Sequence, residues 1–268
     1  MSQDRFFRHP ALPFAECRYS RDSRRHFKPH MHKRFCVGAI DQGAVIYEVE
    51  GKAVKLKPGS IALINPETLH SCNPTGHSQR SYYMLYLDVE WCLKLQRSMW
   101  PLKVFCPVSI VILEDDSICR QYISAVESLT GEWDPREKEQ TLAALVKNIF
   151  SRACEPPAVE IAPSNQIARL KLQLGMNLDM NTSLKQLSAM LQANPYTLLR
   201  QFKATTGITP HAYRLNCRIE LARKLLQKGG DLSQVALACG FFDQSHFQRH
   251  FKAMTTVTPK AYQVNFIQ

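Results

Sequence analysis

The chain has 268 residues, with 34 Lys and Arg against 23 Asp and Glu and a net charge of +11, long enough for two domains. Its nine cysteines are odd in number and include no Cys-x-x-Cys, which argues against a disulfide framework and for reduced thiols. Met1-Ser2-Gln3-Asp4-Arg5 has no apolar run behind a basic stretch, and no segment approaches the roughly 18 apolar residues of a membrane span. The expected location is the cytoplasm, away from membranes.

The first hundred residues read as β structure. Val45–Val49, Ile61–Ile64 and Ser81–Leu87 are short runs rich in β-branched or aromatic residues. Asp41-Gln42-Gly43, Glu50-Gly51-Lys52, Pro58-Gly59 and Asn73-Pro74-Thr75-Gly76 supply turns between them. Short strands at this spacing predict a small barrel or jelly roll. From Ser117 the period becomes helical. Ile118, Tyr122, Ile123, Val126 and Leu129 form one stripe; after Asp134-Pro135, an N-cap and first helical residue, Leu142, Leu145, Val146, Ile149 and Phe150 form another. Joined through Thr130-Gly131-Glu132-Trp133, they make a helical hairpin. The stripes either cover the barrel or leave one face for a second subunit. Glu155–Ser164 holds three prolines and reads as a semi-rigid linker. The organisation is thus a domain over 1–155, a linker over 156–164 and a second domain over 165–268.

The second domain contains a repeat. Phe202-Lys203-Ala204-Thr205-Thr206-Gly207-Ile208-Thr209-Pro210-His211-Ala212-Tyr213 returns 49 residues later as Phe251 to Tyr262, with eight of twelve positions identical. Each copy follows a short helix, a tight turn and a second helix, so each unit reads as a helix-turn-helix that can enter a major groove. Charge agrees with that reading. From Gln166 onward there are 13 Lys and Arg against 4 Asp and Glu, so most of the positive charge sits where phosphate neutralisation needs it.

Gly240-Phe241-Phe242-Asp243-Gln244-Ser245-His246-Phe247-Gln248-Arg249-His250-Phe251-Lys252, then Thr258-Pro259 and Tyr262, resembles the signature of the AraC/XylS family of bacterial transcription regulators. Arg218, Ala222, Leu225 and Leu226 in the connecting helix fit it too. The family usually has Gly where this chain has Thr256, whereas the first copy keeps Gly207. The second turn is therefore expected to be built differently or to carry mild strain.

In the first unit, Ser183–Met190 is the supporting helix and Asn194-Pro195 starts the recognition helix. Leu198 and Phe202 face inwards, leaving Tyr196, Thr197, Leu199, Arg200 and Lys203 outside. In the second, Asp231 caps Leu232–Cys239, Gly240 turns, and Asp243 caps a helix anchored by Phe247 and Phe251. Gln244, Ser245, His246, Gln248, Arg249 and Lys252 remain outside. Arg pairs bidentately with guanine, Gln with adenine, and Lys suits a phosphate. The resemblance singles out Tyr196, Arg200, Gln244, Ser245, Gln248 and Arg249 as base or phosphate contacts. Pro210–Gln227 connects the units and sets their spacing for two successive major grooves about 34 Å apart.

His30-Met31-His32, Pro58-Gly59 and His70 resemble the cupin-type sensor domain that precedes the DNA-binding part in this family. His-x-His on a strand puts both rings on one face. Metal-binding cupins use two such His, a Glu and a later His; Cys36 stands at the Glu position. The expectation is an organic effector contacted by His30, His32, His70 or Cys36, with no cofactor and an apolar cavity lining. The alternative is a tetrahedral zinc site made of those four residues. A metal-dependent cupin dioxygenase would need iron on the three His. The missing carboxylate and the fused second domain make that reading weak, so no catalytic residue is expected. A DNA-binding protein without sequence preference is the remaining alternative.

The fold class expected is α+β in two domains, a cupin-like barrel with a helical hairpin followed by an all-α domain with two helix-turn-helix units. The function expected is a sequence-specific transcription regulator, an activator responding to a small molecule. Its partners are promoter DNA, RNA polymerase and a second copy of the chain.

Overall fold

The computed structural model describes residues 3–76, 78–132, 134–155, 165–180, 183–264 and 266–267. Trp133 and the predicted linker over 156–164 lie outside the described residues. Contacts divide the chain into two compact units, one chiefly of residues 1–158 and one chiefly of 159–264.

The first unit is built on β1 (Gln3–Phe7), β2 (Ala15–Ser23), β3 (Phe35–Gln42), β4 (Val45–Val49), β5 (Lys52–Leu56), β6 (Ser60–Ile64), β7 (His70–Pro74) and β8 (Arg80–Leu87). Helix α1 (Val89–Arg97), strand β9 (Ile112–Glu114) and helices α2 (Asp116–Leu129) and α3 (Pro135–Ala153) follow. One sheet of seven strands runs β10-β1-β2-β8-β3-β6-β9, where β10 is Phe266–Ile267; a second runs β5-β4-β7. Central pairings are antiparallel, with Arg18 opposite Met84 and Gly38 opposite Met84 on the other side.

Alternation gives the large sheet two chemically different faces. Cys17, Phe35, Val37, Ala39, Leu63, Tyr83 and Leu85 pack with α2 and α3 into one apolar core. Both helical stripes end there: Ile118, Tyr122, Val126 and Leu129 of α2 and Leu142, Leu145, Val146, Ile149 and Phe150 of α3 are buried. The expectation that one stripe stays free for a second subunit is therefore corrected; the apolar face of the sheet already covers both. Asp115 caps α2, and Asp134 caps α3 with Pro135 in its first turn.

The opposite face of the sheet is buried but polar. Glu16, Arg18, Ser20, Tyr82 and Tyr86 are each less than a tenth exposed. The small sheet reaches across to this layer, Tyr47 donating to the Leu63 carbonyl at 3.0 Å and Arg80 to the Cys72 carbonyl at 3.1 Å.

The second unit is helical: α4 (Asn165–Gly175), α5 (Leu184–Met190), α6 (Pro195–Thr206), α7 (Pro210–Gln227), α8 (Leu232–Ala238), α9 (Gln244–Thr255) and α10 (Pro259–Val264). Leu170, Leu174, Leu187, Leu198, Phe202 and Tyr213 form the core of its first half. Phe247, Phe251 and Tyr262 form the equivalent stack in the second, with ring centroids 5.5 and 5.4 Å apart. Arg214 and Arg218 of α7 fix the approach to α5 by donating to the carbonyls of Leu174, Asn177, Leu178 and Met180. Among the described residues, no helix is long and apolar enough to cross a membrane.

Candidate nucleic-acid interface and sensor interior

Each recognition helix starts on a local hydrogen-bond code. Asn194 Oδ1 accepts from the amides of Tyr196 and Thr197 at 3.0 and 3.2 Å, with Pro195 at the first helical position. Asp243 Oδ1 accepts from the His246 amide at 2.6 Å. The supporting helices are capped in the same way. Ser183 and Gln186 form a reciprocal capping box, and Asp231 accepts from the amides of Ser233 and Gln234. These caps satisfy the amides left over at a helix start.

Burying Leu198 and Phe202 on α6, and Phe247 and Phe251 on α9, fixes which faces look outward. Tyr196, Thr197, Arg200 and Lys203 are exposed on α6; Ser245, Arg249 and Lys252 are exposed on α9, with Gln244 and Gln248 half-buried. Gln244 Oε1 accepts from the Ser233 hydroxyl at 3.0 Å, which ties the helix start to α8. His246 turns inward instead. Its ring lies edge-on to Phe241 and His250, with centroids 5.6 and 4.7 Å away, and its Nδ1 accepts from the Phe242 amide at 3.4 Å.

Sequence reasoning missed one exposed residue here. Phe242 is 86% exposed, immediately before the Asp243 cap, and Tyr196 is 81% exposed at the start of the other recognition helix. A large apolar side chain left in water beside a predicted reading face is a contact candidate of the kind thymine methyl groups take. The doubled Phe241-Phe242 carried the signal, because only one ring fits the core.

In the first unit, His32 and His70 are both buried and their rings are 5.2 Å apart, whereas His30 belongs with residues 27–31 to the second unit. Nδ1–H of His30 donates to the Lys28 carbonyl at 2.7 Å and that of His70 to the Thr68 carbonyl at 2.9 Å, because a carbonyl can only accept.

Two details of the expected site are corrected. The His-x-His segment is not part of a regular strand: His30 makes a single bridge, residues 31–34 are irregular, and β3 starts at Phe35. Cys36 does not join the imidazole group; it is fully buried on β3 and its thiol lies 3.5 Å from the Arg34 carbonyl. A ligand count along a strand fails where the strand has not begun. Burial pushes the Cys72 thiol up to about 11.

The sheet face opposite the helices carries a buried polar layer. Asp4 and Arg18 form a buried ion pair at 2.9 Å, joined by Arg25 and by the Ser20 hydroxyl at 2.7 Å. Glu16 pairs with Arg34 at 2.9 Å. The guanidinium of Arg80 lies 5.0 Å from the Tyr82 ring centre, and the Tyr82 hydroxyl is buried without a well-aligned partner. Burial alone would raise the Asp4 carboxyl, but Arg18, Ser20 and Arg25 hold it below its ordinary value and keep it ionised.

A buried, polar-faced sheet unit joined to two helix-turn-helix units defines a ligand-responsive transcriptional regulator. Residues 13–146 match the profile of the AraC-like ligand binding domain, and residues 187–265 match that of a helix-turn-helix domain. The chain belongs to the AraC family. YbfI of Bacillus subtilis (strain 168), described as an uncharacterized HTH-type transcriptional regulator, is 25% identical over 82% of this chain and 81% of its own. LumQ of Photobacterium leiognathi, a probable transcriptional regulator, is 27% identical over 85% and 88%. Apo ToxT of Vibrio cholerae has a similar fold, with a TM-score of 0.66 at 13% identity over 98% of this chain and 96% of its own.

Proposed function

We propose that this regulator is a sequence-specific activator, acting in the cytoplasm as a homodimer that recruits RNA polymerase and catalysing no reaction itself. The observation that carries the reading is the pair of capped recognition helices, each anchored by two buried core residues and each exposing an arginine, Arg200 or Arg249. In this reading Arg200 and Arg249 contact guanine edges, Gln244 and Gln248 contact bases, and Ser245, Lys203 and Lys252 hold phosphates. Tyr196, Thr197 and Phe242 pack along the groove wall. His246 acts from behind the helix. Footprinting on DNA recovered by genome-wide mapping tests it. Protection of two successive major grooves on one side of the helix is expected; protection without sequence preference would contradict it.

The effector is a small polar molecule, a reading supported by the polar layer buried on the sheet around Glu16, Arg18, Tyr82 and Tyr86. ToxT has been crystallised with an unsaturated fatty acid, and this polar layer is poorly matched to such a chain. A second reading, zinc response, rests on the buried pair His32 and His70 of the first unit, whose rings are 5.2 Å apart. These two would be among the holders, and the metal would supply a charge that orders them. Metal analysis of protein purified without chelators, with DNA binding measured before and after chelation, separates the two readings. A stoichiometric metal whose removal changes DNA affinity favours zinc; metal-free active protein favours the organic effector.

A further inference from the structure

The core of the first helix-turn-helix unit takes one side chain from far upstream. The chain leaves the sheet unit after His26, contributes Phe27–Met31 to the helical unit and returns to the sheet unit at His32. Met31 is 4% exposed and shares a core with Leu170 and Leu174 of α4, Leu187 of α5, Leu198 and Phe202 of α6 and Cys217 of α7. Every other member of that core lies between residues 167 and 217. Leu198 and Phe202 also decide how α6 presents Arg200, so Met31 belongs to the packing behind that face.

The segment is held at three points. In the helical unit the Met31 amide donates to Asn216 Oδ1 at 3.2 Å, and Asn216 is itself oriented by its Nδ2, which donates to the Ala212 carbonyl at 2.8 Å. In the sheet unit Arg80 donates to the Arg25 carbonyl at 3.0 Å just before the segment. The Glu67 amide donates to the His32 carbonyl at 2.6 Å just after it. Both of these anchors adjoin the polar layer. The Arg80 guanidinium lies 5.0 Å from the Tyr82 ring centre, and the His32 ring lies 5.2 Å from those of His70 and Tyr86. Pro29 restricts its own φ and disfavours the helical region for Lys28, which stiffens the run. A short, stiff segment held at both ends passes a displacement along instead of absorbing it.

We propose that Phe27–Met31 is a strap that carries the state of the polar layer to the first recognition helix, with Met31 as its positioning residue. A rearrangement around Arg80 or His32 shifts the strap, and Met31 then resets the packing under α6. Helix α9 keeps its own anchors, Phe247 and Phe251, so the two units respond unequally. A methionine suits this task, because its unbranched thioether fills an irregular gap and adapts when that gap changes shape. The regulatory part rests on the proposed DNA reading and on the sensing role of the polar layer; the docking of Met31 rests on neither.

The test uses the full chain, with a mapped operator duplex as the probe. Backbone hydrogen exchange without DNA comes first. Met31→Ala should speed exchange in α5 and α6 far more than in α8 and α9, and Met31→Leu, which refills the space, should restore the parent pattern. Footprinting follows, with the half-sites assigned by Arg200→Ala and Arg249→Ala. Met31→Ala should weaken the Arg200 half-site about tenfold, an ordinary size for coupling, and leave the Arg249 half-site close to its parent affinity. Asn216→Ala, which releases the Met31 amide but keeps the apolar core, should move the same half-site in the same direction by less. Because coupling is reciprocal, operator binding should change exchange of the Glu67 amide in the parent and not in Met31→Ala. Equal loss of protection in both halves, both half-sites parent-like in Met31→Ala, or a Glu67 amide indifferent to the operator would each overturn the proposal. Failure of the DNA reading shows separately, as footprints unmoved by Arg200→Ala and Arg249→Ala, and the exchange pattern without DNA then decides on Met31 alone.

Discussion

The two helix-turn-helix units solve one backbone problem with opposite choices of residue. Each has two left-handed positions, one in the turn between its helices and one ending its recognition helix. The first unit puts Gln192 (φ 50°) in the turn and Gly207 (φ 76°) at the helix end; the second puts Gly240 (φ 75°) in the turn and Thr256 (φ 64°) at the end. Hydrogen bonds around the two helix ends are otherwise matched. Thr206 Oγ1 donates to Phe202 and Ile208 carbonyls at 2.7 and 3.0 Å, and Thr255 Oγ1 to Phe251 and Val257 carbonyls at 2.7 and 3.0 Å. Topology therefore imposes the left-handed conformation, and local preference decides only what it costs.

Glycine is required where a side chain has no room. A Cβ on Gly240 would lie 2.1 Å from the Leu178 carbonyl oxygen and 2.7 Å from the Arg218 guanidinium. The second turn is also one residue longer, and the extra residue is the exposed Phe242. The units are thus the same motif with different tolerances, and substitutions can exaggerate or erase that difference.

The largest effect should come from the shared anchors. Phe202→Ala and Phe251→Ala each remove a fully buried ring and should each destabilise the protein by about 3–5 kcal/mol in denaturant melts. A much smaller loss at one of them would show that the two cores are not equivalent. Next, Gly240→Ala should cost about 1–3 kcal/mol through strain and close contact, whereas Gln192→Gly should be neutral or stabilising. Equal and small responses at both positions would erase the contrast between the turns. Thr256→Gly should then stabilise by about 1 kcal/mol and Gly207→Thr destabilise by at least as much, because a β-branched residue is poorly suited to positive φ. Thermal unfolding checks both signs. Last, Asn194→Ala and Asp243→Ala should each cost about 1 kcal/mol by leaving helix-start amides unsatisfied.

The helical unit was largely legible in the sequence because its code is local. The caps Asn194, Asp231 and Asp243, the prolines at 195 and 210 and the repeated Phe-Lys-Ala are read within a turn or two of where they act. Thr256 announced its own strained position by standing where a glycine was expected. The sheet unit was legible only in part. Nothing local in the sequence marks Arg18, Glu16 and Arg80 as buried, and only pairing between distant strands shows it. His32 and His70 come together within the sheet unit, but His32 lies on an irregular segment and not on a strand, so the step from His32 to Cys36 had no geometric basis. His246 lay at an outward helical position, yet aromatic neighbours and a main-chain amide drew its ring inward.

In the proposed function both units read DNA sequence, whatever their differences in backbone cost. The most direct test is the affinity of the parent, Arg200→Ala and Arg249→Ala for a mapped operator and for random DNA, at one fixed salt concentration. Each variant should lose about 1–3 kcal/mol on the operator and relax preference at one base position, with the two positions in different half-sites. Operator and random-DNA affinities unchanged from the parent in both variants would contradict it.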